Sequence, residues 1–277
     1  MNHRRTHFIA LFCLISMLGC AIPGVPAGST SIPAPAVDDD RLQTMVAGTV
    51  AAAIAQTEQA APTHEPGQPP TPTEQVLATE SSLTAQSDGT ILFVDERAKF
   101  QVNLSPGWLP VRINEQEYLD AFSLPAAADE AVQSELMDIK ALDPNIFRLF
   151  VYDLQDGHLI SGVITGIDFV WDVEGIISLE NDTGIQETAD DLAASTPGLN
   201  ATSATLSSST NGIPMGIILC EIPGYTFEGA EVVLFQKHVY LNLPAGMLIV
   251  SFTTEQNFKD ATLPFFDTMI ETLKINP

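Results

Sequence analysis

Alternation of apolar and polar positions dominates the second half of the chain. Residues 100–104 (Phe-Gln-Val-Asn-Leu) have the two-residue period of a strand with one buried face, and the apolar run 91–94 (Ile-Leu-Phe-Val) precedes them as a further strand. Ser105-Pro-Gly-Trp108 then supplies turn chemistry and an aromatic anchor. Residues 115–140 predict a helix broken near Leu124-Pro125, and strands are expected at 146–154 and 162–171, joined by a hairpin at Gln155-Asp-Gly157. A helix over 187–195 stops at Thr196-Pro-Gly198. Four further strands follow at 201–208, 213–222, 230–241 and 247–253, with Asn211-Gly212 and Leu243-Pro-Ala-Gly246 as tight connections. Such short links imply antiparallel neighbours. A closing helix over 256–273 carries Phe258, Phe265, Phe266, Met269, Ile270 and Leu273 on one face, with a break expected at Pro264. The fold class predicted for 89–277 is therefore α+β, a central antiparallel sheet flanked by helices.

Upstream of residue 89 the pattern changes. An apolar run from Phe8 follows Arg4 and Arg5 and ends in Leu14-Ile-Ser-Met-Leu-Gly-Cys20. It is about ten residues long, half of what a membrane-spanning helix needs, and reads as an export signal over 1–19. Met17-Leu18-Gly19 before Cys20 resembles the lipobox of bacterial lipoproteins, which commonly reads Leu-Ala-Gly or Leu-Ser-Gly. That resemblance implies lipidation of Cys20 and attachment to the outer face of the cytoplasmic membrane. The alternative is ordinary cleavage nearby, for example after Val25-Pro26-Ala27, which would release a secreted protein.

Residues 20–88 read as a low-complexity flexible tether. Pro62-Thr-His-Glu-Pro-Gly-Gln-Pro-Pro-Thr-Pro72 lacks too many amide donors for a helix or a ladder. Within it, a short alanine-rich helix is expected at about 38–60, with Leu42, Met45, Val46, Val50, Ala53 and Ile54 forming one stripe.

Charge narrows the partners. The chain carries 11 Lys+Arg against 35 Asp+Glu, a net −24, and taking Arg4 and Arg5 away with the signal lowers the balance further. Phosphate backbones and anionic headgroups are repelled by such a field, so nucleic acid is excluded as a partner and membrane attachment falls to the lipid on Cys20. Of the three cysteines, Cys13 lies in the signal and Cys20 is the proposed anchor, which leaves Cys220 as a small buried apolar residue with no disulfide partner.

Phe100-x-Val102-x-Leu104-x-Pro106-Gly107-Trp108, together with Met247-Leu-Ile-Val-Ser-Phe-Thr253 and then Phe258, Pro264, Phe265, Phe266, Ile270 and Leu273, resembles the PsbP family, which includes bacterial lipoprotein relatives and the Ran-binding Mog import factor. The resemblance spans about 89–277 and implies an α/β/α sandwich. It also implies binding and assembly rather than turnover, and brings no catalytic residues or cofactor with it.

The residues themselves offer little chemistry. There is no Gly-x-Ser-x-Gly turn, and Gly162-Val-Ile-Thr-Gly166 reads as close packing inside a strand. His158 is expected to be an exposed hairpin residue and His238 a partly exposed one on a sheet face. Asp153, Asp156, Asp168, Asp172 and Glu174 offer oxygen ligands without calcium-loop spacing, so no metal site is assigned. Asn181-Asp-Thr183 and Asn200-Ala-Thr202 fit the glycosylation pattern, which occurs often by chance. The function expected is a lipid-anchored, extracytoplasmic, non-catalytic module binding an unknown protein or small ligand. An extracytoplasmic metal-assisted hydrolase using those carboxylates, or a small-ligand carrier, is the alternative.

Overall fold

The computed structural model describes residues 80–277 apart from 114, 156–157, 159–162, 227–228 and 277. The expected signal, Cys20 and the alanine-rich helix lie outside the described residues. None of the described helices is long and apolar enough to cross a membrane.

Two antiparallel sheets make up most of the domain. The smaller has the order β1 (Ser81–Ala85), β2 (Ile91–Asp95), β3 (Phe100–Leu104) and β11 (Lys274–Ile275). The larger has seven strands. Its order is β4 (Trp108–Val111), β5 (Phe147–Asp153), β6 (Gly166–Asp172), β10 (Gly246–Glu255), β9 (Glu231–Leu243), β8 (Pro214–Tyr225), β7 (Asn200–Ser208). Among the described residues four α-helices accompany them: α1 (Gln116–Ala121), α2 (Glu130–Ile139), α3 (Asp182–Ser195) and α4 (Lys259–Glu271).

Strand alternation splits the core into two clusters, one on each face of the large sheet. One joins Phe150, Tyr152, Val170, Ile218, Tyr240 and Ile249 to Val132 and Leu136 of α2 and Ile185 and Leu192 of α3. The other joins Val151, Phe169, Val239, Val250 and Phe252 to Phe93 and Phe100 of the small sheet and Phe266 and Met269 of α4. The expected single sheet between helices is thus met only coarsely, because a second sheet shares one face with α4. Phe100 and Phe169 stack across this junction, with centroids 5.9 Å apart and planes 7° from parallel.

Local sequence explains most element ends. Trp108 donates its amide to the Ser105 carbonyl, and Gly107 at φ +84° follows Pro106, as a type II turn requires. The Asp129 carboxylate accepts from the Ala131 amide at 2.8 Å and opens α2, and the Asn181 side chain does the same for α3 through the Thr183 amide at 3.1 Å. α3 accordingly begins five residues before the predicted 187, at the segment matched to a glycosylation pattern.

Several expectations are corrected. The folded region starts upstream of 89: β1 lies in the stretch assigned to the tether and pairs with β2, Leu83 opposite Phe93. Leu83 is the only large apolar residue of Ser-Ser-Leu-Thr-Ala, so the period-two signal is faint there. Gln155-Asp-Gly157 does not alone join the two strands, since β5 ends at Asp153, whose amide pairs with Thr165, and β6 begins at Gly166; residues 156 and 157 themselves lie outside the described residues. Pro264 does not break the last helix: α4 continues through it, with the missing amide on the exposed side. Phe265, expected on the buried face, is 40% exposed.

Candidate functional site

Rows of cross-strand neighbours run over the helix-facing side of the large sheet. In one row Ile218, His238, Ser251, Asp168 and Phe150 stand opposite one another on β8, β9, β10, β6 and β5. In the next, Cys220, Gln236, Thr253, Gly166 and Tyr152 do so. Polar side chains at positions that β-alternation reserves for the core mark this patch out.

His238 is buried, with Nδ1 2.7 Å from Ser251 Oγ, and burial presses its pKa down to about 4. It is therefore neutral at ordinary pH. This corrects the expected partly exposed sheet position, since the side chain faces the core covered by α2 and α3. Gln236 donates to Thr253 Oγ1 at 3.2 Å in the neighbouring row. Cys220 is fully buried in the same cluster, as expected of a small apolar residue.

Beside this patch α2 brings Glu135 against Tyr152, whose hydroxyl donates to Glu135 Oε1 at 3.4 Å. Burial raises Glu135 to about 7, helped by the charge of Asp138 and opposed by the Tyr152 hydrogen bond. Burial, then the charge of Glu135, raises Asp168 to about 8. Both carboxyls remain half-buried rather than sealed. Gly166 stands opposite Tyr152, where a Cβ would meet the ring at an ordinary contact distance of 3.4 Å. Sequence reasoning missed Glu135. Its signal was a charged residue at helical spacing within the stripe Val132, Leu136 and Ile139.

The patch holds protons but does not form a nucleophilic triad. Ser251 stands between His238 and Asp168, whereas a charge-orienting carboxylate must lie on the far side of the imidazole from the serine.

The remaining carboxylates named from sequence are spread apart. Asp153 is buried, with Oδ2 2.7 Å from His158 Nδ1 and Oδ1 accepting from the Gln155 amide. Alternation with Tyr152 turns it to the face opposite Asp168. His158 is consequently a partnered, three-quarters-buried residue that meets the Phe258 ring edge-on, not an exposed one. Asp172 Oδ1 accepts from the Glu174 amide at 3.1 Å and shapes the turn after β6. No group of three or more metal-ligating side chains occurs among the described residues, and Asp156 is not among these.

A pocket of about 490 Å³ opens where the large sheet ends, lined mainly by Ile176, Ile177, Leu179, Ile213 and Ile275, with Ser178, Glu180 and Asn242 adding polar groups. Asn242 fixes its wall: the side-chain oxygen accepts from the Ile177 amide at 3.0 Å and the side-chain nitrogen donates to the Ile177 carbonyl at 2.8 Å. Val173 and Ile176 are 60% and 66% exposed nearby in sequence, unusual values for large aliphatic groups.

No family model matches the chain, and no curated protein matches it. Solved structures do. A cyanobacterial PsbP from Synechocystis sp. PCC 6803 is 9% identical, with a TM-score of 0.39, over 73% of this chain and 96% of that one. PA94 of Pseudomonas aeruginosa, a protein of unknown function, is 10% identical, with a TM-score of 0.33, over 72% and 99%. The Ran-binding protein Mog1p of Saccharomyces cerevisiae is 8% identical, with a TM-score of 0.35, over 70% and 95%.

Proposed function

We propose that the chain is a lipid-anchored, extracytoplasmic binding or assembly module, held by lipid on Cys20 and working through its folded domain without turnover. The domain is read here as a sheet-rich variant of the α/β/α sandwich. The observation that carries the binding reading is the mainly apolar pocket at the end of the large sheet, which Glu180 and Asn242 also line. Its volume of about 490 Å³ falls within the roughly 300–1,000 Å³ of small-molecule sites. The Leu14-to-Cys20 stretch supports the anchor, and the resemblance of core and turn residues to the PsbP family leans toward binding.

Two measurements on the full chain test this reading. Cys20→Ser should move the protein from the membrane fraction to the soluble one, and mass spectrometry of the mature amino terminus should find an acylated cysteine in the wild type. A photo-crosslinking residue at position 176 should give a discrete product in cells, while one at the exposed Gln186 on α3 should not. Retention of the serine variant on membranes would remove the anchor, and identical crosslinking at both positions would remove the pocket.

A second reading rests on Glu135 and Asp168, which burial raises to about 7 and about 8, a range that suits acid–base work in an extracytoplasmic hydrolase. Calorimetric titration with calcium, manganese and zinc bears on its metal-assisted form, where heat that vanishes in Asp168→Asn would favour it.

A further inference from the structure

The outer edge of β7 is built differently from every other open edge of the two described sheets. β4, at the opposite end of the large sheet, has four residues and contains Pro110. The small sheet ends in the two-residue β11 and the five-residue β1. β7 has nine residues, Asn-Ala-Thr-Ser-Ala-Thr-Leu-Ser-Ser, with neither a charge nor a proline. Natural sheets commonly blunt their edges with lysine, proline, brevity or a bulge. Here the one such device is a bulge between Ala201 and Ser203, which leaves 203–208 in regular register with β8.

That register states which backbone groups turn away from β8 and have no partner among the described residues. The Ser209 amide bonds to the Ile213 carbonyl at 3.0 Å, so the pairs alternate from there. Ser208 opposite Pro214, Leu206 opposite Gly216 and Ala204 opposite Ile218 become the non-bonded pairs, which agrees with proline having no amide hydrogen. The N–H and C=O groups of Ala204, Leu206 and Ser208 therefore point away from β8, along an edge about 20 Å long.

Charge beside this edge is of one sign. α3 packs on Ala204 and Leu206 through Ala189 and Leu192, and its outer surface exposes Asp182, Glu187, Asp190 and Asp191 with no basic residue. No lysine or arginine occurs anywhere from 149 to 236. A second copy of the chain would bring an equally acidic helix to the same place and be repelled.

We infer that β7 is a docking edge for an extended cationic segment of another protein, which adds a strand by main-chain pairing at Ala204, Leu206 and Ser208 while its lysines or arginines face α3. Peptides that add to sheet edges draw affinity from such pairing and specificity from alternate side chains. The inference deepens the binding-module reading by naming a partner class, and it stands on the edge rather than on the pocket or the lipid.

The probe is a short fluorescent peptide of alternating lysine and valine, titrated into the full chain at low salt and followed by anisotropy and by amide hydrogen exchange. Binding is expected, with slowed exchange confined to β7. Ala204→Pro removes one outward donor and no bond to β8, so it should weaken binding by roughly tenfold or more at an unchanged melting temperature. The triple variant Glu187→Gln, Asp190→Asn, Asp191→Asn should weaken it several-fold and flatten its salt dependence. A glutamate–valine peptide should not bind. Protection elsewhere, equal binding of the acidic peptide, unchanged affinity in a folded Ala204→Pro variant, or concentration-dependent self-association through β7 would each overturn the inference. Should the proline variant not fold, the wild-type exchange map decides. None of these outcomes touches Cys20-dependent membrane retention or crosslinking from position 176, so the two readings fail separately.

Discussion

Arg148 on β5 donates through Nε to Asp95 Oδ2 on β2 at 2.6 Å, an ion pair with side chains only 7% and 0% exposed that ties the large sheet to the small one. The other oxygen of Asp95 accepts from the Arg97 and Ala98 amides at 3.0 and 2.8 Å, so one carboxylate holds both the turn after β2 and the sheet junction. The Trp171 ring lies against the Arg148 guanidinium, 5.8 Å from its centroid.

Loss of that carboxylate strands a buried guanidinium. Asp95→Ala should cost about 3–5 kcal/mol. Asp95→Asn, which keeps an acceptor for the turn amides, should cost less. Urea denaturation of the two variants checks the order, and equal midpoints to wild type would show that the pair does not hold the sheets.

Stability should depend on pH through three groups of the helix-facing patch. Asp168 and Glu135, at about 8 and about 7, keep their protons in the folded state while the unfolded chain releases them near pH 4. Their contribution is therefore full below about pH 4 and is lost as pH rises through 7 and 8. His238, at about 4, acts in the other sense: its contribution is present above about pH 6.5 and is lost as pH falls toward 4. Above pH 6.5 only the carboxyls matter, so the melting temperature should fall between pH 6.5 and pH 9. Asp168→Asn should remove much of that fall and be more stable than wild type at pH 9. Parallel slopes for variant and wild type would contradict the assignment.

Pro264 stands inside α4 on an exposed position and offers no amide to the preceding turn. Pro264→Ala should stabilise the domain by about 2 kcal/mol, the helix gain being partly offset by a looser unfolded chain. A melting temperature unchanged within a degree or two would mean that the helix has already adapted to the ring.

Gly246 closes the β9–β10 hairpin at φ +107°, and a Cβ there would lie 2.3 Å from the Asp172 carbonyl oxygen. Conformation and space both forbid a side chain. Gly246→Ala should cost more than about 2 kcal/mol, whereas Gly212→Ala at the β7–β8 turn meets no atom within 4 Å and should cost only its backbone strain. Thermal melts of the pair check this ranking.

Apolar patterning made β2, β3 and β8 to β10 legible, and the turn residues Thr196-Pro-Gly198 and Asn211-Gly212 bracketed β7. It failed at β1, where Leu83 is a lone large hydrophobe, and at Pro264, where tertiary support of α4 outweighs a missing hydrogen bond. His238 was misplaced because its row faces a helical layer that only tertiary structure reveals. The Glu135 and Asp168 juxtaposition joins residues from a helix and a strand, and nothing local links them. Edge identity was equally hidden: Asn200 to Ser208 looks like any polar strand until the sheet order puts it last.

The small sheet contains one long-delayed contact. Lys274 and Ile275 pair with Gln101 and Phe100, and Asn103 donates its amide to Thr272 Oγ1 across 169 positions. A polypeptide emerging from the ribosome presents Phe100 long before it presents the strand that flanks it. Completion of this layer thus waits until residues 272–275 have been made, and β3 must keep that edge from mispairing while the intervening strands and helices are synthesised.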